Sequence, residues 1–96
     1  MNDNVIFVDA TGLRCPLPVL KLRKVLRSSP DGIIVKLIAD DPVAHVDVAH
    51  FCSESENVFL GEEVEKSYVD VKTKTVKGRQ PMAFYIKKKA KDKKVV

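Results

Sequence analysis

The chain has 96 residues, 45% hydrophobic and 31% charged, with a net charge of +4. That length supports one domain with a modest two-layer core, and no run approaches the roughly 20 apolar residues of a membrane-spanning helix. Two cysteines are too few for a disulfide framework, and Met1-Asn2-Asp3-Asn4 lacks the basic-then-apolar pattern of a signal peptide. The expectation is a cytoplasmic protein with reduced thiols and no membrane partner.

Val5-Ile6-Phe7-Val8 reads as a short strand covered on both faces. Asp9-Ala10-Thr11-Gly12-Leu13-Arg14-Cys15-Pro16-Leu17-Pro18 follows as a turn that leads into a helix over about Pro16–Ser29. The helix is predicted from Val19, Leu22 and Leu26, which recur at spacings of three and four with Val25 flanking them. Pro16 and Pro18 suit a first turn, whose amides have no intrahelical acceptor, and Gly12 relaxes the turn. Cys15 falls at or next to the N-cap. Free helix-end amides, the helix dipole and Arg14 would each favour thiolate over thiol there. Two readings of Cys15 stand on these residues alone: an exposed nucleophile on a rigid mount, or a small buried core residue. Lys21, Arg23, Lys24 and Arg27 lie on the other sides of the helix. They either solvate it or form a basic docking rim for an acidic partner.

Pro30-Asp31-Gly32 is a turn, and Ile33–Ala39 is β-branched and apolar enough for a central strand. Strand, helix and strand make a βαβ unit with parallel pairing. Asp40-Asp41-Pro42 opens a second helix, with Asp41 as N-cap and Pro42 at the first position. An acid/base or metal pair is the alternative for the two aspartates. The helix, about Val43 to Ser53, places Ala44, Val48, Phe51 and Cys52 on one side. Cys52 is most simply a core residue, with a resolving thiol as the alternative. His45 and His50 are five apart and no C-x-x-C accompanies them, so no metal site is expected.

Val58-Phe59-Leu60 fits either an added strand or a helical extension. Tyr68–Val76 alternates as a strand with one wet face. Lys77-Gly78-Arg79-Gln80 turns the chain, and Met82–Ile86, preceded by Pro81, is a second strand that closes a hairpin. The fold class is then an α/β (α+β) two-layer sandwich, β-α-β-α-β-β, with two helices on one face of a four-stranded mixed sheet. Residues 87–96 carry six lysines against one aspartate, a local +5, so the other 86 residues sum to −1. This end is read as a disordered solubilising tail after a single domain, 1–86. The alternative is a tether to RNA or an acidic protein. Direct nucleic-acid binding would be weak, because no aromatic residue follows Tyr85 to stack bases.

Asp9, Gly12, Cys15, Pro16 and Pro18 together match D-x-x-G-x-x-C-P-x-P. This motif resembles the signature of the TusA/SirA-like sulfur-carrier proteins. The resemblance runs from Val5 to about Phe51-Cys52 and resumes near Pro81–Lys88, so residues of about 57–66 read as an extra segment. It implies the fold just derived. It also implies a sulfurtransferase in which Cys15 is the catalytic residue and carries a persulfide. Asp9, Gly12, Arg14, Pro16 and Pro18 would support the loop, and Leu13, Leu17, Lys21 and Lys24 would contact partners. A cysteine desulfurase as donor, a downstream acceptor protein, tRNA 2-thiolation as the use and no cofactor follow from the same likeness.

The residues discriminate among other thiol chemistries. A Cys–His hydrolase needs a base near the thiol, and the histidines lie in mid-helix. A C-x-x-C oxidoreductase needs a second cysteine at position 18, where Pro18 stands. Lacking an adjacent thiol suits a carrier, since a neighbouring thiolate would strip its sulfur. The remaining alternative is a non-enzymatic RNA- or protein-binding module that uses the basic tail.

Overall fold

The computed structural model describes residues 5–65 and 81–89. Their order is β1 (Val5–Asp9), α1 (Leu17–Arg27), β2 (Ile34–Ala39), α2 (Ala44–Ser55), β3 (Val58–Val64) and β4 (Met82–Lys87). The four strands form one mixed sheet in the order β1-β2-β4-β3. β1 and β2 are parallel, and β4 runs antiparallel to both β2 and β3. The helices share one face, so the expected two-layer β-α-β-α-β-β architecture stands.

Period-two alternation in β2 sends Val35, Leu37 and Ala39 into the core, each at most 1% exposed. Leu22 and Leu26 of α1, Ala44, Val48 and Cys52 of α2, and Phe84 and Ile86 of β4 meet them there. Val19, Val25 and Phe51 pack partly buried against the same cluster. The hydroxyls of Ser28 and Ser29 donate back to carbonyls in the last turn of α1. The Val25 carbonyl also accepts the Ser28 amide at 3.2 Å, so backbone and side-chain donors together close the end of the helix.

Four expectations need correction. β1 is an edge strand, and Phe7 is 66% exposed, so the strand is covered on one face only. An apolar run reads alike on both faces, which is why the sequence overstated its burial. The segment of about 57–66 is not extra to the four strands: of the two alternatives for Val58-Phe59-Leu60 the strand is the one found, and Val58–Val64 is the third strand. A register shift between Phe59 and Gly61 interrupts its alternation, which is why the sequence left strand and helical extension both open. β3 also replaces Tyr68–Val76 as the partner of β4, both of whose edges are taken by β2 and β3. Tyr68–Val76 and the turn after it lie outside the described residues. Finally, the tail does not begin at Lys87. Lys87 belongs to β4, Lys88 exchanges backbone hydrogen bonds with Gly32 and Ile33, and Lys89 pairs with Glu56 at 2.6 Å. The rest of the tail lies outside the described residues.

On the face away from the helices, Lys36 sits between the rings of Phe7 and Tyr85, 5.1 and 5.8 Å from their centroids. Its ammonium pairs with the buried Glu65 at 2.9 Å. No helix among the described residues is long and apolar enough to cross a membrane.

Leu37→Ala should cost about 2–5 kcal/mol in urea unfolding, the usual cost of emptying a core leucine site. Phe7→Ala should cost about 1 kcal/mol or less, since it removes an exposed ring and one cation–π contact. Equal costs would show that β1 is covered on both faces after all.

Candidate functional site

The loop between β1 and α1 is built by its own side chains and by two borrowed ones. Asp9 Oδ1 accepts the Thr11 amide at 3.0 Å and the Thr11 hydroxyl at 2.7 Å, closing an Asx turn. Gly12 has φ of +84°, a conformation that side-chain-bearing residues rarely adopt. A Cβ there would meet no atom within 4 Å, so the backbone angle alone makes the demand. Lys21 Nζ donates to the Asp9 carbonyl at 2.8 Å, which fastens α1 to the start of the loop.

The borrowed side chains come from the segment between β2 and α2. Asp40 Oδ1 accepts the Gly12 amide at 2.9 Å, and Asp41 Oδ2 accepts the Cys15 amide at 2.6 Å. The other oxygen of Asp41 accepts the Val43 amide at 3.2 Å, at the start of α2. One carboxylate thus bridges the loop to the second helix. The expected N-cap chemistry of Asp41 is present in part: Val43 occupies the cap position, and Asp41 serves the same turn from two residues upstream.

Cys15 is exposed, and Cys52 is buried; both are free thiols. Pro16 takes the N-cap position of α1, so Cys15 lies next to the cap, and Pro18 is buried in the first turn. The electrostatics reverse the expectation from sequence. The Cys15 thiol lies above the ordinary cysteine range, chiefly through a hydrogen bond with the Asp47 carboxylate. Desolvation and the negative charges of Asp47 and Asp41 push it the same way. The sequence weighed helix amides and Arg14, which favour thiolate. It missed the carboxylates that α2 brings alongside, and no spacing rule links position 47 to position 15.

The other expected site residues separate into groups. Asp9, Gly12, Pro16 and Pro18 shape the loop and the start of the helix. Arg14 is exposed, and its carbonyl accepts the Leu17 amide at 2.8 Å. Leu13 packs partly buried against the core. Leu17 and Leu20 on α1, with Val43 and Val46 at the start of α2, are the exposed apolar side chains of the helix N-terminal regions. Lys24 is exposed, whereas the ammonium of Lys21 is engaged by the loop. His45 is exposed, and His50 lies 3.5 Å from Glu54. No three His, Cys, Asp or Glu side chains gather as metal ligands among the described residues.

Burial pushes the Cys52 thiol up to about 11. Iodoacetamide at neutral pH should therefore modify Cys15 alone, as peptide mapping would show. Because folding raises this pKa, Cys52 contributes stability in full below the unfolded value of roughly 8.5. That contribution is lost as pH climbs through about 11. Unfolding free energy should fall more steeply over this window in wild type than in Cys52→Val. Asp41→Ala should cost about 1–2 kcal/mol, since it removes two charge-assisted hydrogen bonds. It should also speed amide exchange at Cys15.

A protein-family model described as sulfurtransferase TusA matches residues 6–74. The match spans most of the chain, from β1 through β3 and beyond, and takes in the whole of the loop and both helices.

Proposed function

The chain belongs to the TusA sulfurtransferase family, and from that premise we propose that Cys15 is the sulfur-carrying residue of a cytoplasmic sulfur carrier. The family implies a sulfur-carrier role in general. The observation that supports Cys15 is its placement: of the two thiols, only this one reaches solvent, on a loop held by Asp40 and Asp41.

The chemistry is an exchange of one sulfur–sulfur bond for another. The Cys15 thiolate attacks the terminal sulfur of a donor protein's cysteine persulfide. A bond forms between Cys15 Sγ and that sulfur as the donor's S–S bond breaks. The electron pair of the broken bond leaves on the donor cysteine, and the transfer involves no net oxidation. An acceptor thiolate then takes the same sulfur from Cys15 by an identical step. A cysteine desulfurase is the proposed donor, an acceptor protein follows, and tRNA 2-thiolation is the proposed use. Pro18 occupies the place where a resolving thiol would discharge the carrier internally. Asp9, Gly12, Pro16 and Pro18 hold the loop, while Arg14, Leu17 and Lys24 are exposed for partner contacts.

Incubation with a cysteine desulfurase and cysteine should add about one sulfur mass, ~32 Da, as a reductant-labile cap. Intact-protein mass spectrometry should show the gain in wild type and Cys52→Ser, and its complete loss in Cys15→Ser. Deleting residues 90–96 should leave it unchanged. A module that instead binds RNA through its tail would gain no sulfur and would lose RNA affinity steeply with salt.

A further inference from the structure

The two edges of the sheet are finished differently. β3, at one edge, carries a register shift between Phe59 and Gly61 and two carboxylates, Glu62 and Glu63. Irregularities and charges of this kind keep an edge from pairing with another chain. β1, at the other edge, has an unbroken register from Val5 to Asp9, no proline, and no charge before its last residue. Its hydrogen bonds show which backbone groups are left over. The Ala10 amide donates inward to the Ile38 carbonyl at 2.7 Å. Alternate residues of a strand turn both of their backbone groups to the same side, so Ile6 and Val8 also serve β2. Val5, Phe7 and Asp9 turn theirs outward. Lys21 Nζ reaches the outward carbonyl of Asp9 at 2.8 Å, as that parity requires. No such donor or acceptor meets Phe7 from the outer side among the described residues. Phe7 and Val5 are also 66% and 42% exposed, and the Phe7 ring lies beside Lys36 on the face away from the helices.

We propose that β1 is a self-association edge, on which β1 of a second copy of this chain adds as an antiparallel strand with Phe7 opposite Phe7. A two-fold axis perpendicular to the sheet, midway between the two phenylalanines, lets each donate its amide to the carbonyl of the other. The same register sets Val5 against Asp9 at both ends. All five residues of each strand are then used, and no two carboxylates meet. Both Phe7 rings fall side by side on one face, where a cross-strand aromatic pair replaces two rings in water. Centring the pair on Asp9 would instead set carboxylate against carboxylate, in space that Lys21 fills. This register is its own complement, which favours a second copy over a foreign strand. The two four-stranded sheets become one of eight strands. Because the joined strands run oppositely, the two Cys15 loops leave at opposite ends of the pair.

The test follows the full-length chain by sedimentation equilibrium. A five-residue strand pair is smaller than a standard interface, so the dimer is weak, half-formed at about 0.1 mM chain. Phe7→Asp sets two carboxylates opposite each other and should weaken association about tenfold or more. Leu60→Asp, on the β3 edge, should leave it unchanged. Disulfide trapping in a Cys15→Ser background reads the register, with Cys52 buried and out of reach. The Cα atoms of a hydrogen-bonded antiparallel pair stand about 5.5 Å apart, within disulfide range. Phe7→Cys should therefore cross-link to a dimer under mild oxidation. Val5→Cys should not, because Val5 faces Asp9 of the other copy.

A wild type that stays monomeric up to about 1 mM overturns the proposal. An edge that pairs with a foreign strand instead gives that same monomer. Equal trapping of Phe7→Cys and Val5→Cys also overturns it, since random collision does not respect register. A dimer that survives Phe7→Asp and dissolves in Leu60→Asp moves the contact to β3 and overturns it as well. Should Phe7→Asp fail to fold, wild-type sedimentation and the Phe7→Cys trapping decide.

Discussion

The site depends on the pair of carboxylates between β2 and α2. Asp40 and Asp41 accept the amides of Gly12 and Cys15, two groups that would otherwise face water at a tight turn. A charged acceptor forms shorter and stronger bonds than a neutral one, and here two of them hold one short loop from outside. The loop therefore inherits its position from the second βα connection rather than from its own chain. Asp41 extends the tie to the Val43 amide, so one carboxylate joins Cys15 to the start of α2. Asp47, in the first turn of α2, raises the pKa of a thiol 32 residues earlier in the chain.

What the sequence disclosed follows the range of the forces involved. The turn through Asp9 and Gly12 and the prolines around the start of α1 are local, and each was legible from its neighbours. Leu22, Leu26, Val35 and Leu37 were legible because burial imposes a period. Asp41 was half legible: its service to α2 follows from its place before Pro42, but its bond to Cys15 spans 26 residues and leaves no local mark. Asp47 left none at all. Its effect on Cys15 is tertiary, and it reverses the sign expected from the helix end. β3 stayed undecided between strand and helical extension because of the irregularity at Phe59 and Gly61, where the side-chain alternation that identifies a strand breaks.

Family membership and geometry bear on different parts of the function. Membership places the chain among sulfur carriers and says nothing of how its thiol is governed. The geometry shows a thiol that is open to approach, on a loop whose Cys15 amide is held by the Asp41 carboxylate. A carrier has reason to be quiet between partners, since a permanently ionised exposed thiol would be the first group in the protein to oxidise.

The attachment of Lys89 has a further consequence. It pairs with Glu56, the left-handed residue that ends α2, and its amide donates to the neighbouring Asn57. Cys15 is tied to the opposite end of the same helix, whose 12 residues span about 18 Å. The two ties therefore sit one helix length apart, and α2 sets the distance between the cysteine loop and the point where the chain enters its lysine-rich end.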